Sequence, residues 1–395
     1  MNYTELTYIN LISDCLNGRS ARDIDFENLD EALFVALCKA HSNVTVIYSA
    51  MKDANGIPDS FMDVMKQGFM TFVMRYSKKN NFASLVSQKM DDNSIKHLIF
   101  KGPSIAQDYP AAELRTMGDI DFLINQEDYS KAKQLMEEMG AELDESQTDS
   151  KVLFYKLNDN SIEIHTSLAH DQNMSGKVDY DEYFNDAFEH MIDVDDRHYL
   201  EAQYQFIYVL YHMAQHFYYA GCGVRMVTDV AVIIDKHSDE FDWEYIAGEL
   251  EKLGLSDFSK AVFTLCDKWF GIKANTDYSI DDELAEEFGK YVLYSGLFGR
   301  ENFDKDVSQM KKNDQYTKSK KGSTIRWAFP PYKYMRESSP WFKNKPAILL
   351  PVAYVERFMR NARKRGGAVE WGQKMARNQT KLKNHEEMIE KLGLS

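Results

Sequence analysis

The sequence predicts an α+β protein, a small mixed β-sheet flanked by mainly helical N- and C-terminal regions. Three observations predict it. Ile95 to Ile124 (IKHLIFKGPSIAQDYPAAELRTMGDIDFLI) contains two short apolar runs bounded by Gly and Pro, which read as buried strands. Val152 to Leu157 and Ser161 to Leu168 alternate polar and apolar residues around Asn158-Asp159-Asn160, a good hairpin turn. The segments on either side carry apolar residues at helical spacing. The expected division is residues 1–90 (helical), 91–195 (α/β core), 196–300 (helical) and 301–395 (a basic, aromatic-rich extension).

In the first region Leu6, Ile9, Leu11, Ile12 and Leu16 give one apolar face. Asn28 with Glu31 three residues on resembles a capping box and predicts a second helix through Leu33, Phe34, Leu37 and Cys38. Pro58-Asp59-Ser60 starts another helix that continues through Phe61, Val64, Met65, Phe69 and Phe72. No residue here suggests chemistry, so the region reads as a packing layer.

The mixed region opens with His97 to Phe100 as a strand, broken at Lys101-Gly102-Pro103-Ser104. Pro103 suits the first turn of a following helix. Gly118 to Ile124 is the second strand, and side-chain alternation puts Asp119 and Asp121 on one face with Ile120 and Phe122 on the other. Two neighbouring carboxylates repel, and a divalent cation screens them best. A solvated strand end is the modest reading of this pair, but here it interrupts a strand that otherwise reads as buried. Glu127 to Met139 fits a helix and Ala141 to Asp144 a strand. In the later hairpin Glu163 and His165 share one face, Ile162 and Ile164 the other. Taken alone, Glu163 is an exposed cross-strand charge.

These residues carry a family resemblance. Lys101-Gly102, Arg115, Asp119-Ile120-Asp121-Phe122-Leu123-Ile124 and Ile162-Glu163-Ile164-His165 resemble an uncharacterised bacterial nucleotidyltransferase family of the DNA polymerase β-like superfamily. That pattern is a Gly-Ser turn, an Asp-x-Asp strand and a third carboxylate on a later strand. Here Lys-Gly-Pro-Ser stands where Gly-Ser is usual, and the loop from Ile105 to Gly118 is longer than in most of the superfamily. The resemblance implies that Asp119, Asp121 and Glu163 are catalytic and hold Mg²⁺ or Mn²⁺. It implies a nucleoside triphosphate bound through Lys101, Gly102, Ser104 and Arg115, with backbone N–H groups after Lys101 cradling phosphate oxygens. The implied reaction transfers a nucleoside monophosphate to an unidentified hydroxyl acceptor. A non-catalytic nucleotide- or partner-binding module on the same fold, or a metal-dependent phosphoesterase, are the alternatives.

Residues 198 to about 300 return to helical spacing. His212 and His216 lie one turn apart, but Met213 stands where a zinc protease needs Glu, so a zinc pair is not expected. The resembling family also has such histidines, then a Gly and a stretch matched here by Gly223, Arg225 and Asp229. His165, His212, His216 and Arg225 are therefore candidates for the acceptor side. The modest reading of Arg225 and Asp229 is an intrahelical salt bridge.

From Lys311 to Lys383 basic residues interleave with Trp327, Phe329, Tyr332, Tyr334, Trp341 and Phe342. This stretch reads as a packed appendage with a solvated tail, or as a contact for an anionic membrane surface or RNA. Residues after Ala368 are expected to be dispensable for the fold. A net charge of -15 argues against general nucleic-acid binding, so no DNA partner is expected. Cys15, Cys38, Cys222 and Cys266 are scattered, which argues against zinc and a disulfide framework. Met1 to Cys15 lacks a basic start, and no apolar run reaches a membrane span of about 20 residues. The expected location is cytoplasmic.

Overall fold

The computed structural model describes residues 1–19, 22–145, 147–169, 174, 178–219, 221–296, 332, 335–336, 342, 345–356 and 383–395. The N-terminal helices are α1 (Tyr3–Leu16), α2 (Glu31–His41), α3 (Val44–Met51) and α4 (Asp59–Asp92). The mixed region runs β1 (His97–Phe100), α5 (Gly102–Ala106), β2 (Ile120–Ile124), α6 (Tyr129–Glu138), β3 (Glu142–Leu143), β4 (Val152–Leu157) and β5 (Asn160–His165). After α7 (Tyr180–Tyr183) and the hairpin β6 (Met191–Val194) and β7 (Arg197–Leu200), the chain returns to helix. These helices are α8 (Ala202–Tyr219), α9 (Val224–His237), α10 (Trp243–Lys252), α11 (Ser256–Phe270) and α12 (Asp282–Ser295).

The expected α+β architecture is observed. A five-stranded mixed sheet, ordered β1-β2-β5-β4-β3, lies between the helical regions. Strands β2 and β5 are parallel; the other neighbours are antiparallel. Asn158 and Asp159 have φ of 48° and 64°, the left-handed pair that a tight hairpin needs. Alternation divides the strands between two cores. Ile99, Ile120, Phe122, Ile162 and Ile164 pack with Val86 and Met90 of α4 and Leu135 and Met136 of α6. Leu98, Phe100 and Leu123 point the other way, into the larger helical core. Phe100 and Phe122 are fully buried, one in each core, and each contributes about 1.5–3 kcal/mol.

Several elements differ from expectation. The capping box is at α1, where the Asn2 side chain accepts from Glu5 N and Glu5 accepts from Asn2 N. At α2 the cap is Asp30, which accepts from Leu33 N at 3.0 Å, while Asn28 is held in a preceding 3₁₀ turn by Asp25. The helix starting at Asp59 does not stop near Phe72 but runs for 34 residues, because Ala83, Val86 and Met90 give its far end a second core to pack against. Strand β7 lies where helix was expected to begin, and α8 starts only at Ala202.

The end of the chain is also different. His385, Met388, Ile389, Leu392 and Leu394 are buried in the helical core, and 383–391 is helical. The Tyr291 hydroxyl lies 2.5 Å from His385 Nδ1, and His385 Nε2 donates to the Tyr218 carbonyl at 3.2 Å. Five anchors within ten residues suffice, which a low overall apolar content concealed. Most of the basic aromatic stretch, including Trp327, Phe329, Tyr334 and Trp341, lies outside the described residues. Among the described residues, no helix is long and apolar enough to cross a membrane.

Candidate active site

The site forms where the polar ends of β2 and β5 meet the helical layer. Because β2 and β5 are parallel and in register, Asp121 sits directly beside Glu163, on the same face. Had they pointed to opposite faces, a shared metal site would be impossible. Asp119 precedes β2 at the exposed lip, and all three carboxylates line one cavity of about 200 Å³. Lys101, Gly102, Arg115, His212, His216 and Arg225 line it as well. Strand β1 delivers Lys101, since its last residue, Phe100, pairs with Asp121.

Lys101 has φ 59° and ψ -115°, a conformation natural to Gly. That backbone aims its ammonium at Asp121, with Nζ 2.7 Å from Oδ1. His165 Nε2 lies 3.3 Å from the same oxygen and 3.1 Å from Glu163 Oε2. Burial pushes the Asp121 carboxyl up, but Lys101 and the His165 hydrogen bond outweigh it and hold the group at about 2. Asp119 goes the opposite way. Repulsion from Asp121, then burial, then Glu163, raises it to about 6. The cluster therefore keeps anionic charge that one lysine does not neutralise. Among the described residues Asp121, Glu163 and His165 form a group whose donor atoms lie within 4.8 Å of one another.

The helical layer supplies the opposite wall. Burial, then His216 and Lys101, pushes the His212 imidazole well below the ordinary value. Burial, then Lys101 and Arg225, brings His216 down to about 4. Both rings are neutral at physiological pH and pack edge to face, with centroids 4.4 Å apart. Arg225 does not bridge to Asp229 within α9. Both Asp229 oxygens are taken by Arg115, Nε to Oδ1 at 2.8 Å and Nη2 to Oδ2 at 2.9 Å, and Tyr109 adds a hydroxyl at 2.7 Å. Arg225 instead donates through Nη1 to the Thr116 carbonyl and hydroxyl, at 3.2 and 3.1 Å. Its Nε is buried with no hydrogen-bond partner among the described residues.

Two expected nucleotide ligands are thus committed elsewhere. Arg115 spends its fork on Asp229 and its remaining nitrogen on the Gly102 carbonyl, at 3.2 Å. Ser104 is buried and bonded to Gln205, and it does not line the cavity. Helix α5 has five residues, too short to develop the terminal dipole expected to cradle phosphate. Sequence reasoning missed Tyr109, Thr116, Gln205 and Lys79, whose ammonium donates to the Gly118 carbonyl at 2.7 Å, just ahead of Asp119. Partners 39 to 120 residues away in sequence leave no local pattern, so no sequence signal announced them.

A family model described as an uncharacterised nucleotidyltransferase matches residues 27–271. That span contains every residue of the cavity wall. No curated protein matches the chain. Among solved structures, an antigenic nucleotidyltransferase-like protein from Paracoccidioides brasiliensis is 13% identical, with a TM-score of 0.29, over 50% of this chain and 94% of that one.

Proposed function

This chain belongs to the family of uncharacterised nucleotidyltransferases, and from that premise we propose that it transfers a nucleoside monophosphate from a nucleoside triphosphate to a hydroxyl acceptor. The observation that carries the reading is the in-register Asp121–Glu163 pair, with Asp119 and Lys101 around the same cavity. Three carboxylates against one ammonium suit a hard divalent cation, as does the upward displacement of Asp119. Asp119, Asp121 and Glu163 would hold Mg²⁺ or Mn²⁺, as in the DNA polymerase β-like superfamily. Bound there, the cation would neutralise phosphate charge and acidify the acceptor hydroxyl.

The remaining roles belong to the chain's own groups. Lys101 would give its point charge to a phosphate oxygen once Asp121 has another partner. Glu163, fixed by His165, would accept the acceptor's proton. Arg115 is reassigned from phosphate ligand to positioning residue, because it ties the Gly102 turn to α9. His212 and His216 would border the acceptor as neutral groups, and Arg225 Nε would meet an acceptor oxygen. The four-part division of the chain, the cytoplasmic location and a membrane or RNA contact through the basic extension belong to the same proposal.

The test is pyrophosphate release from mixed nucleoside triphosphates with Mn²⁺, in wild type and Asp121→Asn. Release that needs Asp121 supports transfer. Release of nucleoside monophosphate without acceptor labelling would favour a phosphoesterase, and nucleotide binding without turnover a binding module.

A further inference from the structure

A second convergent set of donors lies away from the cleft, at the opposite end of β1 from Phe100. Asp91 lies in the last turn of α4, His97 opens β1 and His198 lies in β7, and one ligand atom from each falls within 4.8 Å of the others. The inward nitrogens are His198 Nε2, 3.2 Å from Asp91 Oδ1, and His97 Nδ1, 3.8 Å from the same oxygen. We propose that Asp91, His97 and His198 form a second metal site, for a divalent transition ion of borderline softness such as Zn²⁺. It is independent of the transferase reading.

The donor set fits that ion, since two imidazoles and one carboxylate suit zinc better than magnesium. The outward nitrogens strengthen the case. His198 Nδ1 is 2.6 Å from Asp193 Oδ1, and His97 Nε2 is 2.6 Å from Ser87 Oγ. Each ring is therefore oriented from behind by an oxygen, the outer arrangement that fixes tautomer and aim in metal-binding histidines. Two contacts compete: in the metal-free form His198 Nε2–H donates to Asp91 Oδ1, and binding releases that proton to solvent while Nδ1 keeps its bond to Asp193. His97 Nδ1 lies 3.0 Å from the Ile95 carbonyl and so carries the proton in the metal-free form. Binding moves that proton to Nε2, where Ser87 Oγ accepts it, with no net proton change at this ring. The bound ion would clamp the end of α4 and the start of β1 to the β6–β7 hairpin, joining residues 107 apart in sequence.

Calorimetric titration of the full chain with ZnCl₂ in excess Mg²⁺ tests this, with the visible absorption of Co²⁺ as a second readout. One Zn²⁺ is expected to bind, about 100-fold more weakly in His198→Gln and about 10- to 100-fold more weakly in Asp193→Asn. Asp121→Asn should leave both affinity and spectrum unchanged. Should His198→Gln not fold, Asp193→Asn carries the test, since Asp193 is an exposed side chain. No Zn²⁺ bound by wild type, equal affinity in wild type and the hairpin variants, or loss of binding in Asp121→Asn would each overturn the proposal.

Discussion

Replacing Asp229 by Asn separates two roles for Arg115. The two side chains are 6% and 7% exposed, and their fork carries two charge-assisted hydrogen bonds. Breaking a buried pair from one side costs about 3–5 kcal/mol, because the surviving charge stays buried without its counter-ion. The Asn amide still accepts one hydrogen bond, so a loss of about 3 kcal/mol is expected by urea unfolding. The double variant Asp229→Asn/Arg115→Gln should recover about 1 kcal/mol or more of the sum of the single losses, since no unpaired charge remains. Function discriminates further. If Arg115 positions the Gly102 turn, Asp229→Asn weakens nucleotide binding as it weakens the fold. If Arg115 is itself a phosphate ligand, freeing its guanidinium tightens nucleotide binding. A variant within about 0.5 kcal/mol of wild type, or one with tightened binding, would refute the positioning argument.

In metal-free protein Asp119→Asn should stabilise the fold by about 1 kcal/mol at neutral pH. Lifting a carboxyl from 3.8 to about 6 corresponds to about 3 kcal/mol, which solvent screening at the exposed lip reduces. Melting curves with and without Mg²⁺ check this, and the variant should lose the Mg²⁺-induced rise; a less stable metal-free variant contradicts it. His41 is buried, with Nε2 donating to the Leu293 carbonyl and Nδ1 accepting from Val224 N. Burial brings it from 6.5 to about 4, so the unfolded chain takes up the proton first as pH falls. About 3 kcal/mol of stability should be lost between those values, and His41→Gln should flatten that slope in urea titrations. Truncation after residue 382 removes five buried anchors and should cost several kcal/mol or abolish soluble expression, whereas unchanged melting would show the tail to be dispensable.

What the sequence disclosed was whatever short-range pattern could carry. Alternation paired Asp119 with Asp121 on one strand and Glu163 with His165 on another, and Asn158-Asp159 gave the turn. The parallel pairing that sets Asp121 beside Glu163 was not legible, since register between distant strands has no local signature. The ion pair of Arg115 was hidden for the same reason, its partner Asp229 lying 114 residues away. The burial of Met388 to Leu394 escaped because composition averages over a segment, while anchoring needs only a few well-spaced side chains. The cap of α2 moved two residues because Asp30 and Asn28 are chemically equivalent caps, and only the turn held by Asp25 chooses between them.

The backbone of Lys101 ties local strain to the charge of the cleft. Glycine would adopt φ 59° and ψ -115° freely, whereas a side chain there costs about 1–3 kcal/mol. That local cost is met by the ion pair to Asp121, so the position is in balance only while the ammonium has an anionic partner. Glycine at 101 would relieve the backbone but leave the buried Asp121 carboxylate without its cation, a loss of about 3–5 kcal/mol that exceeds the strain removed. Strain and charge are therefore coupled at this position, and any change that neutralises Asp121 leaves the left-handed backbone at 101 uncompensated.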